Sequence, residues 1–550
     1  MHRLAVGLLF VWVAAAGLFM AWHDSLTTDE DIHMASGYTI LTRADFRFDP
    51  EHTPLFKELT ALPLLALHLS PPSDDQALWN AAAPTFYDSW QEARSWSDRW
   101  TFASGNPADL MKFLARLPSV VSLLLLCWLL YYLTNEWFGR QAALLTLFFT
   151  AFNPTLLAHG HLANDDVAVV TAILFGLALF WRYLKSPSIG NALLVGLGLT
   201  VAIGTKFTGF GLLPVFFLYM LFFAWQERKG LRTLGHGLLM LLSVWLGIWT
   251  LYGFHSSLNL TDASLHLAGE SWHIPYGLTL PQIIRGAQEV RLFLPLAFLK
   301  GLIIVENGTK YGRGGYLFGH TFYPSLWYYF PAIIALKTQI VTFAVLLVGL
   351  LLSLGSKAGA LGKRPYQLLA LSLLIFGGLI MHSKLDLGVR YTTPVLALAM
   401  PFVALSLLRI GRLNWRSWII GGTLVLYALP ALAQFPDLLS FSSEIVQPYA
   451  EGWRYMNDSN IDWGQEASQV AVYSAENLHT NGIAANYGWN PYQLGYYGLK
   501  TESFDPLIPP TGRPILITAN QLATPEYARF RQLKPIGSIA NVAFFYRISQ

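Results

Sequence analysis

Eleven apolar runs, near residues 4–22, 113–133, 141–158, 167–184, 190–204, 208–224, 236–252, 331–354, 366–381, 391–408 and 416–434, leave this chain few folds to choose from. Each is about the length that crosses a hydrocarbon core as an α-helix, which satisfies its own backbone hydrogen bonds where no water is available. The expectation is a polytopic α-helical membrane protein with about 11 transmembrane helices. Composition agrees, since 54% hydrophobic against 13% charged residues is more apolar surface than a soluble chain of 550 residues can hide. The first run, Leu4 to Trp22, has no small-residue cleavage site before His23 and is expected to stay in place as a span.

Basic residues gather at alternate ends of these runs: Arg3; Arg140; Arg182 with Lys185; Arg228, Lys229 and Arg232; Lys357, Lys363 and Arg364; Arg409, Arg412 and Arg416. Positive charge is retained on the cytoplasmic side of a bilayer, so these ends and the N-terminus are expected there. Residues 23–112, 159–166, 205–207, 253–330, 382–390 and the tail then fall outside. That count depends on Thr205-Lys206-Phe207 forming a tight hairpin between two short helices. The formal charge of +3 is too small to imply a nucleic-acid partner. The single Cys127, inside an apolar run, excludes an intrachain disulfide framework and a thiolate metal site.

The chain divides into a transmembrane domain, 1–435, with outer loops 23–112 and 253–330, and a small extracytoplasmic α/β domain, 436–550. In the first loop Trp79, Trp90, Trp96 and Trp100 alternate with polar residues, and Leu55 to Leu69 has helical spacing, so interfacial helices are expected there. In the other loop, Gly312, Gly314, Gly315 and Gly319 permit close backbone approach to a ligand, though such glycines more often make a turn. Strand-length runs at 483–487, 514–518 and 542–548, with helical patterns near 465–478 and 525–533, predict the α/β tail.

Ionisable residues cluster where spans meet the outer loops. Thr28 to Lys57 (TDEDIHMASGYTILTRADFRFDPEHTPLFK) carries Asp29, Glu30, Asp31 and His33, then Glu51, His52, Pro54 and Lys57. Thr28 suits a helix N-cap, and Asp29 to Asp31 as acids complementing a helix N-terminus are the structural alternative to a site. A second acidic pair, Asp165 and Asp166 in HGHLANDDVAVV, ends on the same face, and carboxylates at such depth usually line a polar cavity. Lys206, Lys384 and Arg390 stand at outer span ends, either snorkelling to the interface or placed to hold a phosphate whose lipid tail stays in the bilayer. No motif specifies a cofactor. A divalent cation is the one cofactor left open, with Glu51, His159 and His161 as its candidate ligands. Neither G-x-x-x-x-G-K-[ST] nor G-x-G-x-x-G occurs in a strand–helix context, and no G-x-S-x-G elbow is present, against nucleotide-driven transport and serine esterases.

In order along the chain, the Asp29-Glu30 pair, the F-x-x-D-P-E-H-T-P-L-F-K stretch ending at Lys57, the aspartate opening the fourth span, TKFTGF (205–210), WYYFPAIIALKT (327–338), LGVRYTTP (387–394) and DSNIDWGQE (458–466) resemble bacterial lipid-carrier-dependent membrane glycosyltransferases of the GT-C type. The likeness is to the protein O-mannosyltransferase and aminoarabinose transferase superfamily, glycosyltransferase family 39-like. It implies that Asp29 acts on the acceptor hydroxyl, with Glu30 beside it, and that Asp166 is the second-loop acid, with Asp165 next to it. Thr53 replaces the first proline of the family's Pro-Pro pair, and His52 stands where some relatives carry lysine.

The chemistry implied is a single displacement that inverts the anomeric carbon. A polyprenyl (or dolichyl) monophosphate sugar brings its own leaving group, so a carboxylate base and phosphate-binding cations suffice: Asp29, with Asp166 orienting the acceptor or a cation. Lys206, Lys384 and Arg390, with His52, Lys57 and Asp165 near them, are the candidate phosphate and substrate contacts. The partners are a polyprenyl-phosphate-linked sugar donor, a protein, lipid or glycan acceptor, and membrane lipid. Rival classes are a flippase for lipid-linked saccharides, which predicts mid-span charges and an inverted repeat not visible here, and a ligase using a diphosphate-linked oligosaccharide.

Overall fold

The computed structural model describes the chain except residues 82–87, 228–229, 255–293, 355–363, 411–415, 489, 491 and 549–550. Arg228, Lys229, Lys357, Lys363 and Arg412 of the basic clusters, and much of the loop 253–330, lie outside the described residues.

Every apolar run is helical, and the helices differ in length and continuity. His2–His23, Ala108–Phe138, Asp166–Lys185, Gly230–Leu251, Arg364–His382 and Val389–Ile410 are long and apolar enough to cross a membrane. Two further runs are broken pairs, Arg140–Ala151 with Pro154–Gly160 bent by 64° and Tyr329–Lys337 with Ile340–Leu352 bent by 111°. Ile189–Thr205, Phe207–Phe222 and Ser417–Ala433 are shorter apolar helices. By length and composition the described residues therefore give six candidate spans, or up to eight if each bent pair counts as one, with the three shorter apolar helices beside them. The first break has a local cause. The Asn153 side chain accepts from the Leu156 N–H and Pro154 opens the new helix, so capping restarts the helix where the apolar run alone predicts continuation. Between the short helices the chain does turn at Lys206, whose backbone is extended (φ −160°, ψ 146°).

The first outer loop folds on itself. Helices Glu30–Arg43, Pro54–Ala61, Asp75–Ala81 and Asp88–Phe102 enclose a cluster of Leu26, Ile32, Met34, Phe48, Trp96 and Trp100. Trp96 and Trp100 are each 1% exposed, which corrects the expectation that they lie along a membrane interface. The Trp96 indole N–H finds its acceptor inside the fold, on Asp75 at 2.8 Å, so the ring can be buried whole. Trp79 packs against the same group under the Arg43 guanidinium, 4.1 Å from its ring, while the Trp90 side chain lies outside the described residues. Helices Glu30–Arg43 and Pro54–Ala61 touch at Gly37, where a Cβ would sit 2.0 Å from the Lys57 carbonyl oxygen. Only glycine lets these backbones approach so closely.

The glycine-rich segment is a hairpin. Strands β1 (Gly315–Leu317) and β2 (His320–Phe322) pair antiparallel around Phe318 (φ 51°) and Gly319 (φ 85°), the left-handed pair that a two-residue turn requires. In the tail, β3 (Gly482–Ala485), β4 (Lys500–Glu502), β5 (Pro514–Thr518), β6 (Gly537–Ile539) and β7 (Ala543–Arg547) form a five-stranded mixed sheet in the order β4-β3-β5-β7-β6. The edge strands β4 and β6 were not predicted, and the all-exposed Lys-Thr-Glu of β4 carries no apolar pattern to read. Ala484, Ile515, Ile517, Phe544 and Tyr546 share one hydrophobic cluster with Tyr329, Phe330, Ile333 and Val389, so the sheet is seated on the helices that bear Arg390.

Candidate active site

Asp29 is the residue preceding helix Glu30–Arg43, and Asp166 opens helix Asp166–Lys185. One guanidinium nitrogen joins them: Arg390 Nη1 lies 2.8 Å from Asp29 Oδ2 and 3.9 Å from Asp166 Oδ2. Two acids from distant loops thus meet at one guanidinium. Lys206 Nζ donates to Asp165 Oδ1 at 2.8 Å and to Asp166 Oδ1 at 2.5 Å. The Thr393 hydroxyl donates to the Asp166 carbonyl at 3.0 Å, tying the arginine-bearing segment to the acidic one.

Capacity is left over in this group. Asp165 Oδ2, Asp166 Oδ2 and Arg390 Nε are buried with no hydrogen-bond partner, and the Asp29 side chain is 22% exposed. Such atoms are costly unless something else occupies them. Burial pushes the Asp29 carboxyl up, and the Arg390 charge, with lesser help from His33, brings it below its ordinary value, so it is ionised at neutral pH.

Glu30 behaves otherwise. Both its oxygens take Arg116, Nε at 2.8 Å and Nη2 at 2.6 Å, while Oε1 also accepts the Ala163 N–H at 2.7 Å and Oε2 the Thr27 N–H at 2.8 Å. Arg116 spends its remaining donors on the carbonyls of Ala21, Asp24 and Ser25. The pair is 0% exposed and closed, so Glu30 is a fastening between the first loop and helix Ala108–Phe138 and has no free lone pair aimed at a substrate.

The remaining candidates separate in the same way. Lys57 Nζ donates to the Asp49 carbonyl oxygen at 2.5 Å and lies 3.5 Å from Asp49 Oδ2, and His52 Nδ1 lies 2.7 Å from Asp49 Oδ1. Lys206 is held by two aspartates and is not a free phosphate clamp. Lys384 is exposed beside Gly312, with its main-chain N–H on the Thr309 carbonyl. His161 Nε2 faces Asp24 Oδ2 at 3.1 Å, and His159 packs near Trp463 with ring centroids 6.1 Å apart. Among the described residues neither histidine forms a metal-type cluster with Glu51, and the group with ligand-like spacing is His33, Asp49 and His52.

Sequence reading missed the brace from the tail. Trp463 lies under the Arg390 guanidinium, 4.3 Å from ring centroid to carbon, and its carbonyl accepts the Thr28 N–H at 3.1 Å. Asn460 Oδ1 accepts the Val389 N–H at 2.8 Å, and the Ser459 hydroxyl donates to the Leu387 carbonyl at 2.6 Å. One short segment thereby fixes the residues flanking Asp29 and those flanking Arg390. The DSNIDWGQE motif was visible, but nothing in its residue types says which loops it grips.

Residues 109–249 match the family model described as dolichyl-phosphate-mannose-protein mannosyltransferase. Among solved structures the chain is similar to ArnT from Cupriavidus metallidurans in the apo state, at 14% identity over 98% of this chain and 97% of that one, with a TM-score of 0.48. The same protein bound to undecaprenyl phosphate gives 16% identity over 90% and 74%, with a TM-score of 0.46. The apo oligosaccharyltransferase of Archaeoglobus fulgidus gives 12% identity over 91% and 64%, with a TM-score of 0.45. No curated protein sequence matches the chain. The segment that matches the family model is the one that supplies Arg116, Asp165, Asp166 and Lys206.

Proposed function

We propose that this protein is an inverting glycosyltransferase that moves a sugar from a polyprenyl (or dolichyl) monophosphate carrier to a hydroxyl-bearing acceptor at the outer face of the plasma membrane, with the N-terminus cytoplasmic and the tail outside. The observation that supports it most is the single guanidinium shared by Asp29 and Asp166, beside buried oxygens that nothing in the fold satisfies. Asp29 is the base, Asp166 orients the acceptor, and Arg390 is the first cation to meet the departing phosphate. Pairing with Arg390 makes Asp29 a weak base at rest. A phosphate that competes for the guanidinium loosens that pairing, so Asp29 gains basicity when donor is bound. Lys206 contributes by keeping Asp165 and Asp166 charged and in place.

The test is Asp29→Asn in the reconstituted protein with a synthetic polyprenyl-phosphate sugar. Transfer is expected to fall about 100- to 10,000-fold while the protein remains folded. Wild-type turnover in that variant removes the base assignment. Activity with a diphosphate donor only identifies a ligase, and movement of the lipid sugar without product identifies a transporter.

A further inference from the structure

His33 stands one helical turn beyond Asp29, on helix Glu30–Arg43, while Asp49 and His52 belong to the stretch that leads into helix Pro54–Ala61. One ligand atom from each of the three lies within 4.8 Å of the others. Two of the atoms involved are conspicuous: His33 Nε2 and Asp49 Oδ2 are buried, 3.7 Å apart, and neither has a hydrogen-bond partner. His33 is 3% exposed and Asp49 1%.

The imidazole is already oriented. His33 Nδ1 lies 3.2 Å from the Ala163 carbonyl oxygen, which can only accept, so that nitrogen carries the hydrogen and Nε2 presents its lone pair toward Asp49. A carbonyl fixing the far nitrogen in this manner is the usual support of a metal-bound histidine. The His52 ring stands across from His33, with centroids 4.6 Å apart at 64°. Asp49 itself is held at φ 51°, an unusual backbone conformation for aspartate, which aims its carboxylate between the two rings. The two supporting helices meet at Gly37 without room for a side chain, so the ligands are carried on a fixed frame. Lys57 brings a positive charge to Asp49, but its short hydrogen bond goes to the main-chain oxygen at 2.5 Å, and Oδ2 stays unsatisfied.

We propose that His33, Asp49 and His52 bind a divalent transition-metal ion of the zinc class. Two imidazoles and one carboxylate are a borderline-soft donor set suited to such an ion, and they leave a coordination position open. The site adjoins the transfer centre: the charges of Asp29 and Asp165 act on His33, and those of Asp165 and Lys206 on His52. The binding site stands on these residues alone, whereas its use, to hold an oxygen of the carrier phosphate beside Arg390, rests on the function proposed above.

The experiment uses the full-length protein in detergent, stripped with a chelator, then titrated with Co²⁺ followed by visible absorption and loaded with Zn²⁺ for elemental analysis. One equivalent per chain is expected, with Co²⁺ bands of a site of low coordination number. His33→Gln and, separately, His52→Gln weaken binding by roughly 100-fold, and two positions guard against one variant that fails to fold. Asp29→Asn loses transfer but keeps the equivalent of metal. Substoichiometric metal in the wild type, or undiminished binding in both histidine variants, overturns the site. If Asp29→Asn transfers normally while the metal binds as described, the reaction assignment fails and the metal site stands.

Discussion

Two sets of opposite charge are anchored on adjacent residues at the start of the first loop, and they are built to opposite specifications. In the Glu30–Arg116 set each carboxylate oxygen and each guanidinium N–H has its partner within the protein. In the Asp29–Arg390–Asp166–Lys206 set, Arg390 Nε and an oxygen of each of Asp165 and Asp166 have none. Adjacent acids in one dipeptide are therefore held differently: Glu30 is closed inside the structure, and Asp29 stays partly exposed beside the unsatisfied group. Saturation separates the two where proximity and burial do not, because an ion pair that needs nothing more gains nothing from a ligand.

That contrast breaks first under Arg116→Met. Glu30 would be left charged and unpaired in a site that is 0% exposed, and the protein is expected to lose about 3–5 kcal/mol of stability, seen as a large drop in thermal unfolding temperature in detergent. A change of less than about 1 kcal/mol, by the same rule, would mean that Glu30 takes up a proton at little cost. Arg390→Lys sharpens the other side. Positive charge remains to balance Asp29 and Asp166, so unfolding should move little, but the planar fork is lost and transfer is expected to fall on the order of 10- to 100-fold, mainly through a higher KM for the phosphate donor. An unchanged KM would assign Arg390 to holding the two aspartates and nothing more.

Sequence patterns located most of the helices because apolar runs report burial in lipid or core directly. They do not show where a run breaks, because an apolar run gives no sign of the capped restart at Asn153 and Pro154. Asp29, Asp166 and Arg390 were legible as charges at span ends, and so were Lys384, which is exposed, and Lys206, which pairs with Asp165 and Asp166. Arg116 and Asp49 were passed over. Arg116 lies within an apolar run, and Asp49 has the setting of an ordinary loop aspartate until its left-handed backbone is known. Trp463 depends on contacts with Arg390 and with Thr28, both far from it in the chain, which no local pattern encodes.

The smallest expected effect comes from a third arrangement in the same loop, acid against acid. Asn490 of the tail donates to Asp31 Oδ2 at 3.2 Å and to Asp98 Oδ1 at 2.5 Å, and the charges of Asp31 and Arg94 both act on Asp98. Burial, then the Asp31 charge, pushes the Asp98 carboxyl up to about 10, so at neutral pH it is held as the protonated acid. Because the folded form keeps a proton that the unfolded chain releases near the ordinary carboxylate value, this group's contribution is full at low pH and is lost as pH rises toward about 10. Asp98→Asn keeps the shape and a donor toward Asp31 without the ionisation. At about pH 5 the variant should match the wild type within about 1 kcal/mol, the net worth of a hydrogen bond, and its advantage should widen as unfolding is followed upward to about pH 9. An advantage that stays flat across that range would mean that Asp98 is ionised in the fold, with Arg94 and not a shared proton neutralising the pair.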